Sequence, residues 1–222
     1  MVLRLRDLTK DCRKTFHRML AAIEFLIRPM RCFRPTAEVS HMNGWAVWIT
    51  GLPGSGKSTI ARVVARRLLQ QHVRTQLLSV EMLRKVLTPS PSYTEEERDI
   101  VYGALVFVAK LLTQNKVNVI IDATANRRRY RDAGRLSISR FAEVYLKCPL
   151  QVCMKREIRR KKRSGAPSRI YLKAKTGASK TVPGVGVPYE ESVSPELILD
   201  TSKLKPNECV DGVVGIIQAR FV

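Results

Sequence analysis

The chain has 222 residues, 45% of them hydrophobic and 6% aromatic, and a formal net charge of +21 from 40 Lys/Arg against 19 Asp/Glu. That is enough apolar material for one sizeable core and one catalytic domain. The positive field favours anionic partners: nucleotides, phosphorylated or sulfated molecules, or nucleic acid. The few aromatics offer little stacking surface to a nucleic-acid strand, so that partner is not favoured. No apolar run approaches the ~20 residues of a membrane span. The five cysteines (Cys12, Cys32, Cys148, Cys153 and Cys209) include no C-x-x-C pair. They argue against a zinc site or a disulfide framework and for a reduced, cytoplasmic setting.

Residues 1–41 form a basic extension with nine Lys/Arg against four acids. The stretch 3–27 has the pattern of a basic amphipathic helix, and Arg28-Pro29 and Arg34-Pro35 then break it. Three acids within its first 24 residues disfavour a transit peptide, and a membrane-surface helix is an alternative. The favoured reading is a loosely packed extension, or a stretch upstream of a start at Met42. Residues 42–222 are expected to form the catalytic domain.

Trp45-Ala46-Val47-Trp48-Ile49-Thr50 reads as a buried strand. Gly51-Leu52-Pro53-Gly54-Ser55-Gly56-Lys57-Ser58-Thr59 follows it and fits the phosphate-loop pattern G-x-x-x-x-G-K-[ST] at every fixed position. Glycines let such a loop curl and turn its N–H groups onto phosphate oxygens. Lys57 then reaches the β- and γ-phosphates of ATP, and Ser58 holds Mg²⁺. An amphipathic helix over 59–69, with Ile60, Val63, Val64 and Leu68 on one face, completes the strand–loop–helix context.

Further strands are expected at 75–80, 117–122, 141–146 and 197–200. A capping box at Thr94-Glu95-Glu96-Glu97 opens a helix running to about Leu112, and a terminal helix starts near Asn207. This alternation predicts an α/β fold: a five-stranded parallel sheet with helices on both faces. Ligands of such sheets bind beyond the carboxyl ends of the strands. Glu81 and Arg84 follow the second strand, and Asp122 ends the third, with Arg128 and Arg131 beyond it. Either carboxylate can hold Mg²⁺ or accept the proton of an attacking hydroxyl, and the arginines can neutralise phosphate charge. The alternatives are a solvated helix-start acid for Glu81 and a helix N-cap for Asp122. The basic run 155–163 and the break at 164–168 open a segment, about 155–190, placed where a lid over the nucleotide belongs; a solvated helix face is its alternative.

The chain resembles the adenylylsulfate kinase family over about residues 43–215. The phosphate-loop region 48–59, Phe141-Ala142-Glu143-Val144-Tyr145-Leu146, Pro149-Leu150 and Cys153 look like that family. So do Tyr171-Leu172-Lys173-Ala174-Lys175, Gly184-Val185-Gly186-Val187-Pro188-Tyr189-Glu190 and Pro195-Glu196-Leu197-Ile198-Leu199-Asp200-Thr201. The resemblance implies a P-loop kinase that uses ATP and Mg²⁺ to phosphorylate the 3′-hydroxyl of adenosine 5′-phosphosulfate, a small anionic nucleotide; a homodimer is compatible with it. It implies catalytic roles for Lys57, Glu81 and Asp122 and acceptor contacts from Arg84, Tyr93, Arg98, Arg128, Arg131 and Lys173.

The chain also departs from the family's pattern. The Asp-Gly-Asp triplet reads Ser79-Val80-Glu81, and an Asn-Ile-Arg-Arg on the substrate helix reads Val101-Tyr102-Gly103-Ala104. A phenylalanine that sandwiches adenine is Val182, and the spacing from Glu157 to Tyr171 is longer. Val119 to Asn126 resembles small kinases acting on polynucleotide or transfer-RNA ends. A kinase of such ends is therefore an alternative, and a nucleotide-binding module without catalysis a second.

Overall fold

The computed structural model describes residues 43–159 and 169–222. The helix expected over 3–27 and residues 160–168 lie outside them. In chain order the elements are β1 (Ala46–Thr50), α1 (Lys57–Gln70), β2 (Thr75–Ser79), α2 (Val80–Leu87), α3 (Glu95–Gln114) and β3 (Asn118–Asp122). Then come α4 (Arg128–Ser137), β4 (Phe141–Lys147), α5 (Leu150–Ile158), α6 (Ile170–Lys175), β5 (Leu197–Asp200) and α7 (Pro206–Phe221). All strand pairings are parallel, in the order β2-β3-β1-β4-β5.

The central strand shows why both faces must be covered. Successive strand side chains point to opposite faces. Val47 and Ile49 enter one apolar cluster with Ile60, Val64 and Leu68 of α1 and Val210, Val213 and Ile217 of α7. Ala46 and Trp48 enter a second with Val101, Tyr102 and Leu105 of α3 and Tyr130 of α4. A strand buried on both faces reads as a continuous apolar run, which is how β1 looks in the sequence. A third, smaller cluster of Cys148, Cys153, Tyr171 and Val182 lies where α5 and α6 meet the phosphate loop.

Two local expectations change. The second strand stops at Ser79, and Val80 instead opens α2, where its side chain joins the second cluster. Glu81 and Arg84 therefore sit on a helix. The capping box at Thr94 forms only halfway. Thr94 Oγ1 accepts from the Glu97 N–H (3.3 Å), but the Glu97 carboxylate turns to Ser92 and Tyr93 instead of the Thr94 N–H. The helix it opens ends at Gln114. No described helix is long and apolar enough to cross a membrane.

One buried ion pair ties α4 to the sheet. Arg131 Nε lies 2.8 Å from Glu143 Oε1 of β4, with 1% and 7% of the two side chains exposed. Arg131 also donates to the carbonyls of Ala125 and Glu190, and Glu143 accepts from the Ser192 hydroxyl. Removing one partner of such a pair strands the other charge in the core. Glu143→Ala should therefore destabilise the protein by about 3 kcal/mol, read as a lowered urea midpoint with an unchanged m-value.

Candidate active site

Strand register sets the site. Ile49 pairs with Asp122, Ser79 pairs with Asp122, and Thr50 pairs with Tyr145. The carboxyl ends of β1, β2 and β3 thus lie within a residue of one another, β4 runs two residues further, and the phosphate loop leaves from the central strand. A cavity of about 560 Å³ opens there.

Two glycines of the loop are demanded by close approach as well as by backbone angle. Gly51 has φ +145, and a methyl group on it would lie 2.6 Å from the Leu146 carbonyl oxygen. Gly54 has φ +86, and a methyl group there would lie 2.5 Å from the Cys153 carbonyl oxygen. The end of β4 and the middle of α5 thus press the loop from behind. The Tyr171 hydroxyl of α6 adds a hydrogen bond to the Pro53 carbonyl (2.7 Å). Burial pushes that phenol above its ordinary range, which keeps it a donor. Lys57 Nζ donates to the carbonyls of Gly51 (2.9 Å) and Leu52 (3.0 Å), so its ammonium lies folded against its own loop.

The loop after β3 is pinned along its length. Trp48 Nε1 donates to the Ala123 carbonyl (3.1 Å), and Thr50 Oγ1 donates to the Thr124 carbonyl (2.7 Å). The Tyr102 hydroxyl accepts from the Ala125 N–H (2.9 Å), and Arg98 donates to Asn126 Oδ1 (2.9 Å). Ala125 has φ +44, a conformation costly to a residue with a Cβ, and these bonds hold it. Asp122, 7% exposed, is thereby fixed at the cavity edge. It caps no helix, because α4 begins only at Arg128.

The residues singled out from the sequence divide into two groups. Gly54, Gly56, Lys57, Ser58, Thr59, Pro53, Glu81, Arg84, Tyr93, Arg98, Asp122 and Lys173 all line the cavity. Gly51, Leu52 and Ser55 belong to the loop but do not line the cavity. Arg128 and Arg131, expected at the acceptor, do not line this cavity. Arg131 is consumed by Glu143 and two carbonyls, and Arg128, half exposed, leans towards Glu190. Both border a separate cleft with Asp132, Arg135 and Ser192.

The two remaining arginines differ in charge balance. Arg84 pairs with Glu97 and lies 4.7 Å over the Tyr93 ring. Arg98, 6% exposed, hydrogen-bonds only neutral acceptors: the Tyr93 carbonyl, Asn126 Oδ1 and the Thr181 carbonyl. Burial lowers its pKa from the ordinary arginine value, and at any ordinary pH it stays a cation facing the cavity.

Sequence reasoning gave no individual role to Tyr102, Arg156, Glu157 or Tyr189, although it placed Arg156 and Glu157 in the segment read as a lid. Tyr102 sits at an apolar-face position of α3, and Arg156 and Glu157 are hidden in a basic run, so no local signal marks them. Tyr189, whose hydroxyl lies 3.0 Å from Thr50 Oγ1, comes from a segment distant in sequence. Burial pushes its phenol up to about 12.

A central parallel strand ending in a phosphate loop, with an acid at the end of the neighbouring strand, defines a P-loop nucleotide-binding fold. Comparison with known proteins narrows the class. Residues 43–200 match the family model described as adenylylsulphate kinase. A probable adenylyl-sulfate kinase of Pyrococcus abyssi is 33% identical over 78% of this chain and 94% of its own length. An adenylyl-sulfate kinase of Halothermothrix orenii is 34% identical over 81% and 92%. The Mycobacterium tuberculosis APS kinase CysC, solved with AMPPNP and APS, superposes with a TM-score of 0.71 at 28% identity, covering 80% of this chain and 99% of that one. The chain belongs to the adenylylsulfate kinase family, and so is a phosphotransferase with a hydroxyl group as acceptor.

Two outcomes follow from this geometry. Gly54→Ala should weaken nucleotide binding at least about tenfold, because both the strained φ and the Cys153 carbonyl oppose a side chain; calorimetric titration with ATP measures it. The second concerns Glu97. Burial pushes its carboxyl up, but hydrogen bonds from Ser92 and Tyr93 and the Arg84 guanidinium hold the net value below the ordinary 4.5. Its stabilising contribution is therefore full above 4.5 and lost as pH falls through the depressed folded value. The difference in urea midpoint between wild type and Glu97→Gln should shrink as pH drops below 4.5.

Proposed function

We propose that this chain transfers the γ-phosphoryl group of ATP to the 3′-hydroxyl of adenosine 5′-phosphosulfate. The carrying observation is one cavity that joins a phosphate loop and the Glu81 and Asp122 carboxylates to a buried cation, Arg98, whose hydrogen-bond partners are all neutral. A desolvated charge of that kind is costly unless an anion arrives to meet it, which supports an anionic acceptor.

The residues divide the work by position. The loop N–H groups and Lys57 hold the β- and γ-phosphates, with Lys57 leaving the Gly51 and Leu52 carbonyls to do so. The donor set fits Mg²⁺. The Ser58 hydroxyl and the Asp122 carboxylate are hard oxygen ligands on one cavity wall, and the described residues hold no larger cluster of metal-binding side chains. Magnesium is usually held by one or two protein oxygens together with substrate phosphates. When bound it neutralises charge on the transferring phosphoryl group. Asp122, level with the end of β1, lies on the phosphate-loop side. Glu81, on the first turn of α2 beside Arg84 and facing the same cavity as Tyr93, takes the proton of the attacking hydroxyl. Arg84 and Arg98 orient the acceptor, with the Tyr93 ring as a stacking surface. Lys173 of α6 reaches in from the segment read as a lid. In-line transfer needs positioning and charge neutralisation, and these groups supply both.

Three buried free cysteines among the described residues, Cys148, Cys153 and Cys209, support a reducing, cytoplasmic setting. Lys57→Ala should reduce phosphoryl transfer by at least about a thousandfold while leaving the urea midpoint near that of wild type. A coupled assay for ADP release, run with adenosine 5′-phosphosulfate and, in parallel, nucleosides and RNA 5′-ends, measures both the loss and the acceptor. Activity confined to an RNA end would overturn this choice of acceptor.

A further inference from the structure

One carboxylate in the cavity wall has an oxygen that is unmatched among the described residues. Glu157 stands on the last turn of α5, one turn beyond Cys153 and on the same helix face. It is 3% exposed, and its buried Oε2 has no hydrogen-bond partner among the described residues. Charged side chains are rarely buried to this degree unless paired. Two neighbouring donors among the described residues are committed elsewhere. The Tyr171 hydroxyl, whose pKa is raised by burial, by Cys153 and then by the Glu157 charge, donates to the Pro53 carbonyl. Arg156 donates to the Thr201 carbonyl (2.6 Å) and to Thr201 Oγ1 (3.2 Å).

Glu157 nevertheless lines the same cavity as the phosphate loop, together with Arg156, Ile170 and Lys173. What can meet it there is restricted by charge. A phosphate would be repelled. A neutral N–H or O–H would be accepted, and a hydrogen bond to a buried carboxylate is among the stronger kinds. A nucleotide whose phosphates occupy the loop carries such donors only on its nucleoside.

We propose that Glu157 is the residue that recognises the nucleoside of the phosphate donor, its unpartnered oxygen accepting a hydrogen bond from an amino group of the base or a hydroxyl of the ribose. This rests on the reading of ATP as the donor. It gives the buried charge opposite effects in the two states: a liability in the free protein and a contact in the nucleotide complex.

That opposition makes the test specific. Binding of AMP-PNP, without acceptor, is measured by calorimetry on the full chain, and thermal melting is recorded for the nucleotide-free protein. Glu157→Ala should bind AMP-PNP about tenfold or more weakly, with a melting temperature of the free protein equal to or above that of wild type. Glu157→Gln, which keeps one acceptor oxygen, should recover part of the affinity. Two wild-type titrations locate the donor atom. Inosine triphosphate lacks the 6-amino group and 2′-deoxy-ATP lacks one ribose hydroxyl; the analogue missing the contacted group should bind wild type and Glu157→Ala alike.

Equal AMP-PNP affinity of wild type and both variants would overturn the assignment, as would a melting temperature sharply lowered in both, which marks a structural role. A loss confined to adenosine 5′-phosphosulfate binding would overturn it too. Failure of the wild type to bind AMP-PNP would instead remove the donor reading, and this assignment with it.

Discussion

The close approach of the phosphate loop to the strand and helix behind it is the constraint on which the rest of the site depends. Carbonyl oxygens of Leu146 and Cys153 occupy the space that side chains on Gly51 and Gly54 would need. Because the loop is pressed against them, the end of β4 and the middle of α5 must lie where they do. The tyrosine of α6 can then reach the Pro53 carbonyl, and the carbonyls of Gly51 and Leu52 are left as a resting place for the Lys57 ammonium. A loop so supported loses little conformational freedom when nucleotide arrives, which is how preorganised N–H groups stabilise transferring phosphate most effectively.

The other half of the site uses the opposite tactic. It is built from side chains that spend their hydrogen bonds on backbone. Trp48, Thr50, Tyr102 and Arg131 hold the residues after β3 peptide by peptide, Arg98 holds the Asn126 side chain, and Asp122 is fixed at the cavity as a consequence. Arginine appears here in three roles that sequence alone cannot separate. Arg131 is a structural cation neutralised by Glu143. Arg84 is half functional, paired with Glu97 yet lying on the Tyr93 ring. Arg98 is buried without a carboxylate among its hydrogen-bond partners. Only the last leaves a full charge facing the cavity, and the reading of an anionic acceptor leans on it.

Much of the fold was legible because its signals are local. A phosphate loop between an apolar strand and an amphipathic helix is specified by contiguous residues. The alternation of apolar runs with helical patterns leaves few alternatives to a parallel sheet. The strand boundary at Ser79 was less legible, since Val80 is equally at home ending a strand or opening a helix. Tertiary burial against Val101 and Leu105 decides it. The capping box at Thr94 was half right for a similar reason: the Glu97 carboxylate had a stronger offer from Arg84 and the Ser92 and Tyr93 amides than from the Thr94 N–H.

The sequence by itself determined that a phosphate loop is present, that its lysine and serine are placed for a nucleotide, and that the surrounding chain is α/β, because each depends on neighbours a few positions apart. Only the tertiary structure decided which charges are available to a ligand. Arg131 and Arg98 look alike in the sequence, yet one meets Glu143 across the sheet and the other meets only carbonyl and amide oxygens. Glu157 reads as one acid diluted in a basic run, yet it is buried at the cavity wall with an oxygen unmatched among the described residues. Charge compensation acts through space and is set by packing, so no local pattern of residues can encode it.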